Sequence, residues 1–373
     1  MPWSQVTVSD QREEFVGLAK QPDRNIADLC RRFGISRKTG YKWLSREQMH
    51  DASRRPSSSP TRTAPELEDK AVELRRQHPA WGGRKIAHVL ERDFKLKLAP
   101  STVTSVLHRH GLILPEDSAA HTAWHRFEHA QPNDLAQMDF KGDVAVGNGV
   151  CFPLTLIDDH SRFNLVLCAM PGQTRELVQP ALAQAFERYG LPDRINADNG
   201  PPWGSGGGGI TGLYVWLVRL GIKVSNSRPY HPQTNGKDER FHRTLLAEAI
   251  AGRTFADMAA LQRCLDDWRQ IYNSKRPHEA LGMKTPIERY RPSRRLMPKK
   301  LPLPEYGLHD DVRSVHSGGF VKFKGRTFRT SQALYKERVA IRPVADQDGV
   351  YDVFLCHQRV DRFDLRAVKS DPT

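Results

Sequence analysis

Apolar residues along this chain follow three different rhythms in turn. Up to residue 114 they recur at helical spacing. Asp10, with Glu13 three residues on, predicts a capped helix running to about Lys20. Ile26, Leu29, Cys30 and Phe33 bury one face of a short second helix; Gly34 permits a turn, Ile35 plugs the core, and Ser36 caps a helix from Arg37 to Leu44. After a Ser-, Pro- and Arg-rich stretch from Asp51 to Thr63, a second helical unit follows the same plan. Its helices are predicted at 66–78, after Trp81-Gly82-Gly83, and at 102–110, where Pro100-Ser101 opens the last one and Gly111 closes it.

From Leu135 the period drops to two. Gln137 and Asp139 fall on one face of a strand, and Ala136, Met138 and Phe140 on the other. Strand-like runs at 151–157 and 163–169 could complete a three-stranded meander. A helix from Thr174 to Tyr189 follows, then a short strand at 194–198, a helix at 213–220, a strand at 223–227, and a long helix bearing Glu239, Phe241, Leu245 and Ala249. Beyond Pro304, Val, Phe and Ile alternate with Lys and Arg, which predicts four to six short antiparallel strands. Residues 291–304 and 51–63 read as basic tethers, and 115–133 as a polar junction.

Composition narrows the class. The 373 residues carry 57 Lys+Arg against 43 Asp+Glu, a net charge of +14. Residues 1–130 contribute +6, residues 131–290 only +1, and residues 291–373 +7. Basic ends flank a nearly neutral centre, an expected arrangement for a chain that grips nucleic acid at both ends and needs local acid between them. No apolar run reaches the roughly 18 residues of a membrane span, and no secretory signal pattern is present. Five cysteines are scattered without a CxxC pair, so a disulfide framework is not expected and a cytoplasmic setting is.

The helix-turn-helix order of the first unit presents Arg37, Lys38, Thr39 and Lys42 to phosphates and base edges; the bland alternative is a helical hairpin with a solvated basic face. In the second unit the outward candidates are Thr104 and Arg109, together with Ser105 and His108, although that unit could serve mainly as a spacer. His121, His125 and His129 lie four residues apart, but no cysteine lies nearby to complete a zinc site, so solvated linker histidines are expected.

Three acids stand where chemistry can use them: Asp139 near one strand end, Asp198 at another, and Glu239 at the start of a helix. A phosphodiester resists water because its anionic oxygens repel nucleophiles and its alkoxide leaves poorly. Two divalent ions about 3.5–4 Å apart overcome both obstacles, and hard cations such as Mg²⁺ need only oxygen ligands. Asp238 adjoins Glu239, but neighbouring helical side chains point about 100° apart, so only one can face such a cluster. Asp158 and Asp159 read as strand-end turn residues. His231, Asn235, Lys237, Arg240 and Arg243 surround the acids as candidate phosphate contacts, and Arg240 and Arg243 could equally coat the helix.

The strings LAQMDFKG, LTLIDDHSRF, INADNGPPWG, SRPYHPQTNGKDERFHRTL and YNSKRPHEALGMKTPIERY, with LCRRFGISRKTGYKWL upstream, resemble the integrase-core, DDE-type transposases of bacterial insertion sequences over about residues 9–290. The resemblance implies a multidomain chain: helix-turn-helix DNA-binding units (1–50 and 64–114), an α/β ribonuclease-H-like catalytic core with a five-stranded mixed sheet (131–290), and a small all-β module (305–373). It assigns Asp139, Asp198 and Glu239 as catalytic and metal-binding. It further implies Mg²⁺, with Mn²⁺ substituting, as two ions per site. DNA is the implied partner, both transposon-end inverted repeats and target, gripped by a homo-oligomer that is at least a dimer. The setting would be bacterial and nucleoid-associated, without membrane. The alternative is a non-catalytic DNA-binding regulator derived from a transposase, whose mark would be loss of an acid. Forty residues separate Asp198 from Glu239, somewhat more than is usual in the family, and the glycine run from Gly204 to Gly209 accounts for the excess.

Overall fold

A computed structural model of the chain describes residues 7–51, 62–113, 128–198, 200–204, 209–226 and 236–366. It contains two compact units, 1–62 and 63–373. In the first, three helices, α1 (Val8–Ala19), α2 (Ile26–Arg32) and α3 (Arg37–Leu44), enclose Phe15, Val16, Leu29, Cys30 and Trp43. The start of α1 differs from the sequence expectation. Thr7 is its cap and Asp10 the reciprocal third-position partner of a capping box, so the signal was T-x-x-D rather than D-x-x-E. Gly34 turns the chain at φ +64°, and Ser36 caps α3 through the Thr39 amide. A Cβ on Gly40 would lie 2.6 Å from Cys30 Sγ, so α3 approaches α2 closely and its rotation is fixed.

The second unit begins with α4 (Pro65–Gln77), α5 (Gly83–Phe94) and α6 (Pro100–Arg109), packed around Ile86, Leu90, Val103 and Leu107. These helices rest on the domain that follows: Ile271 packs against their core, Arg84 pairs with Glu279 (3.2 Å), and Arg92 donates to the Lys275 carbonyl (3.2 Å). At this junction Lys85 is largely buried. Its ammonium pKa falls to about 8, through burial first and then through repulsion from Arg276. The folded chain therefore holds that proton less tightly than the unfolded chain, where lysine titrates near 10.5. The Lys85 contribution to stability is least favourable below about pH 8, rises through the interval to 10.5, and vanishes above it. Lys85→Met is expected to raise stability at pH 7 by on the order of 3 kcal/mol and to give no gain above pH 10.5. Denaturation midpoints at the two pH values test this.

The central sheet has the order β5-β4-β1-β6-β7. Its strands are β1 (Ala136–Phe140), β4 (Leu154–Asp158), β5 (Asn164–Cys168), β6 (Arg194–Ala197) and β7 (Lys223–Asn226). β1, β4 and β5 form the antiparallel meander expected, and β6 and β7 join in parallel, so the sheet is mixed. The run expected at 151–157 is broken at Phe152-Pro153 into β3 (Gly149–Cys151), which pairs with β2 (Val144–Val146), and β4. Proline cannot donate to a ladder, which accounts for the break.

Helices α7 (Arg175–Tyr189) and α8 (Gly212–Arg219) cover one sheet face with Met138, Leu156, Ile195 and Val224 beneath them. The other face, with Ile157 and Leu167, is covered by α9 (Gly236–Leu245), which runs into a π-helical turn (Leu246–Ile250), and by α10 (Met258–Ser274). The short α11 (Pro286–Arg289) ends this domain. Six strands follow: β8 (Asp311–Ser314), β9 (Phe320–Phe323), β10 (Arg326–Arg329), β11 (Arg338–Pro343), β12 (Val350–Leu355) and β13 (Gln358–Asp364). They form a hairpin and a four-stranded sheet, all antiparallel.

Residues 291–304 are not the free tether their composition predicts. Arg295 donates to the carbonyls of Pro192, Leu220 and Gly221 and pairs with Asp193 (2.7 Å), while Ser293 bonds Tyr189 and Met297 and Leu301 pack on the core. The apolar residues of the β module, Val321, Phe323, Val339 and Leu355 among them, belong to the same cluster as those under α7 and α8. No described helix is long and apolar enough to cross a membrane.

Candidate nucleic-acid interface and catalytic site

Strand pairing explains how two distant aspartates meet. β1 and β6 run parallel with Gln137 opposite Asn196, and Asp139 and Asp198 each follow two residues later. The two side chains therefore leave the ends of neighbouring strands, whose backbones run about 4.8 Å apart, on the face opposite Met138 and Ala197. That face lies under α9, which carries Glu239 in its first turn. Asp139 is partly buried while Asp198 and Glu239 are exposed.

Electrostatics report the same convergence. The Asp139 carboxyl is pushed up to about 6, by burial first and then by the negative charges of Asp198 and Glu239, against a stabilising bond from the Phe140 amide (2.8 Å). Its other neighbour is His242, one helical turn beyond Glu239, with Nδ1 3.9 Å from Asp139 Oδ2. Burial lowers the pKa of that imidazole to about 4, so it stays neutral and leaves the carboxylate's charge uncompensated. Thr155 lies opposite Asp139 on β4; its hydroxyl donates to the Asp139 carbonyl (2.9 Å) and meets His242 Nε2 (2.9 Å). Thr155 and His242 thus fix the Asp139 backbone and flank, a role that strand and helix periodicity do not announce.

Repelling carboxylates with oxygen-only donors form a set that suits a hard divalent cation. Among the described residues, however, no group of three or more His, Cys, Asp or Glu side chains is drawn together tightly enough to hold a metal ion. Glu239 and Asp198 border the segments 227–235 and 199, which lie outside the described residues, as do the candidates His231 and Asn235. Asp238 points the other way from Glu239. It is fully buried, neither carboxyl oxygen has a partner, and burial with the adjacent acids raises its pKa far above the usual carboxylate range.

The basic candidates divide into outward and inward groups. Arg37, Lys38 and Lys42 are exposed on α3, and Arg240 and Arg243 on α9. Thr39 instead turns to the helix cap, its hydroxyl 2.9 Å from that of Ser36. Tyr41, missed in the sequence, is 58% exposed on the basic face of α3; its place four residues after Arg37 was the available signal. In the second unit Thr104 bonds back to the Pro100 carbonyl (2.8 Å), and Arg109 neutralises the buried Glu68. Lys237 is likewise drawn inward, paired with the buried Asp159. His129 donates its backbone amide to Asp159 (2.9 Å), whereas His121 and His125 lie outside the described residues. In the β module Lys322, Lys324, Arg326 and Arg329 are exposed along the β9–β10 hairpin.

Separate stretches of the chain are similar to known domain families. Residues 129–232 and 220–286 match integrase core domain models, and 310–371 match the C-terminal domain of the IS481 family transposases. A helix-turn-helix domain matches residues 11–57 and a homeodomain-like domain residues 39–107. The insertion element IS476 39.2 kDa protein of Xanthomonas euvesicatoria is 26% identical over 61% of this chain and 66% of its own length. A putative transposase for insertion sequence element IS5376 of Geobacillus stearothermophilus is 24% identical over 88% of this chain and 83% of its own. Among solved structures, the simian T-cell lymphotropic virus intasome in complex with PP2A regulatory subunit B56 gamma aligns with a TM-score of 0.36 and 18% identity, covering 78% of this chain and 99% of that one.

Proposed function

We infer that this chain is a DDE-type insertion-sequence transposase, with helix-turn-helix units ahead of an integrase core, that binds the inverted-repeat ends of its element and carries out strand cleavage followed by strand transfer. The observation that carries the reading is the parallel pairing of β1 and β6, which sets Asp139 and Asp198 on adjacent strand ends facing the helix of Glu239. Functional boundaries at 1–50, 64–114, 131–290 and 305–373 suit this division of labour.

In the first step a water oxygen attacks a phosphorus at the element end and the P–O3′ bond breaks, freeing a 3′-OH. In the second, that hydroxyl attacks a target phosphodiester and displaces its 3′ oxygen. Neither step needs ATP or a protein–DNA covalent bond. Asp139, Asp198 and Glu239 would hold two divalent ions, Mg²⁺ or Mn²⁺, which activate the attacking oxygen and stabilise the leaving one. Thr155 and neutral His242 keep Asp139 oriented, and Arg240 and Arg243, beside Glu239, would take phosphates of the bound strand. Two ends must meet before joining, so at least a dimer assembles on DNA, in the cytoplasm at the nucleoid. The regulator reading is not favoured, since all three acids are present. Incubating the full chain with element-end DNA and Mg²⁺ tests the reading: nicked ends and joined products support it, and intact substrate rejects it.

Helix α3 supplies a separate expectation. With six to ten phosphates contacted, affinity for end DNA falls by about 10³ to 10⁵ between roughly 50 and 200 mM salt. Arg37→Ala and Lys42→Ala each reduce the slope of log affinity against log salt by about one. Tyr41→Ala weakens binding as well, more to end DNA than to random DNA if the ring meets base edges and equally to both if its hydroxyl meets a phosphate. Fluorescence anisotropy across a salt series measures both.

A further inference from the structure

We propose that Asp159 is a positioning residue that holds the strand carrying Asp139 and the helix carrying Glu239 in one register. This role rests on the catalytic reading of those two acids. Asp159 stands in the turn between β4 and β5 and is 1% exposed. Its amide donates to the Leu135 carbonyl (2.9 Å), just ahead of β1. Its Oδ1 accepts from Gln137 Nε2 (2.8 Å) and pairs with the Lys237 ammonium, and its Oδ2 accepts the His129 amide (2.9 Å). Lys237 reaches the Asp159 carbonyl as well, at 3.3 Å.

Two of these partners occupy matching places. Gln137 lies two residues before Asp139 on β1, and Lys237 lies two residues before Glu239 in α9. Residues two apart on a strand share a face, so Gln137 marks the face from which Asp139 projects. Residues two apart in a helix differ by about 200°, so Lys237 points inward while Glu239 stays exposed. One carboxylate therefore grips the strand and the helix that bear two of the three acids.

The tie works against a real repulsion. Glu239 and Asp198 act on Asp139 as like charges, and the buried Asp238 between Lys237 and Glu239 is held protonated by burial and by the acids around it. Lys237 is the cation that this first turn directs at the β4–β5 turn, and its side chain is only 17% exposed. Burying both members of an ion pair carries a large desolvation cost, so such a pair is poor evidence for stability and better evidence for fixed geometry. The neighbouring Asp158 folds the turn onto itself through Ser161 and accepts the Asn133 amide ahead of β1. The DDHSR string is thus a hinge plate whose second acid reaches across to the site.

The test uses the full chain, with Mn²⁺ binding followed by the electron paramagnetic resonance of free Mn²⁺, alongside end cleavage, DNA binding and thermal melting. Asp159→Asn keeps an acceptor for Gln137 and His129 but loses the charge that holds Lys237. We expect Mn²⁺ affinity and the cleavage rate each to fall about tenfold, the scale seen when a partner of a metal ligand is lost, with DNA affinity unchanged. Where the single variant fails to fold, Asp159→Asn combined with Lys237→Met removes both members of that pair, and Arg162 keeps Glu128 as its partner (3.4 Å). That pair of substitutions should melt like wild type yet still bind Mn²⁺ about tenfold more weakly. Wild-type Mn²⁺ affinity in either folded variant overturns the positioning role. A wild-type chain that neither binds Mn²⁺ nor cuts end DNA instead overturns the transposase reading beneath it.

Discussion

Asp139→Ala, Asp198→Ala and Glu239→Gln are each expected to lower strand cleavage and strand transfer by about three orders of magnitude or more while leaving end binding intact. A thousandfold loss corresponds to about 4 kcal/mol of transition-state stabilisation. Loss of a residue that merely supports a metal ligand costs about 10- to 100-fold, so a direct ligand must exceed that. The three variants should also separate in stability. Asp139 carries a partly buried carboxyl, raised to about 6 by burial and by the charges of Asp198 and Glu239. Removing it relieves repulsion, so Asp139→Ala should melt no lower than wild type. Asp198 and Glu239 are exposed, and their variants should melt within a degree or two, about the scale of a neutral surface change. Gel assays with labelled end DNA, run beside melting curves, distinguish lost chemistry from lost fold. Full activity in any one variant would remove that residue from the site.

The second large effect lies away from the carboxylates. Glu248, in the π-helical turn after α9, accepts from Arg276 Nε (2.9 Å) and Trp268 Nε1 (3.0 Å), with side chains 5% and 9% exposed for Glu248 and Arg276. Glu248→Ala leaves the Arg276 guanidinium buried without its partner and orphans the indole N–H. Breaking a buried pair from one side costs about 3–5 kcal/mol, so the urea midpoint should fall sharply at pH 7. Lys85 makes the effect diagnostic. Its ammonium is destabilised by Arg276 and supported by Glu248. Adding Lys85→Met to Glu248→Ala should therefore recover part of the loss. Strict additivity of the two changes would mean that the groups do not share one electrostatic site.

How much of this was legible depends on whether the deciding contact is local. Alternation around Asp139 placed Gln137 and Asp139 on one strand face, and that face is where they stand. Helix ends set by neighbours a few residues away, such as Ser36 at α3, were readable too. Facing direction on a helix was less readable: the hydroxyls of Thr39 and Thr104 turn back to Ser36 and to the Pro100 carbonyl one turn away, and distant partners redirect longer side chains. Arg109 looked outward until Glu68, 41 residues away in sequence, claimed it, and Lys237 until Asp159, 78 residues away, did the same. No spacing rule encodes such partners. The stretch 291–304 misled for a related reason: its prolines and basic residues match a linker, but Arg295 finds backbone carbonyls 74 to 103 residues earlier. Adjacency of Asp139 and Asp198 is also non-local, and only the family resemblance anticipated it.

The strap formed by residues 291–304 has a mechanical consequence. Arg295 bolts it to the loops that precede β6 and β7, at the strand ends opposite Asp198. The β module is thus held to the core twice, through this strap at the starts of the two parallel strands and through its apolar contact with the cluster under α7 and α8. One of those strands ends at a proposed metal ligand, so the segment leading to the β module and the candidate site sit at opposite ends of the same strand.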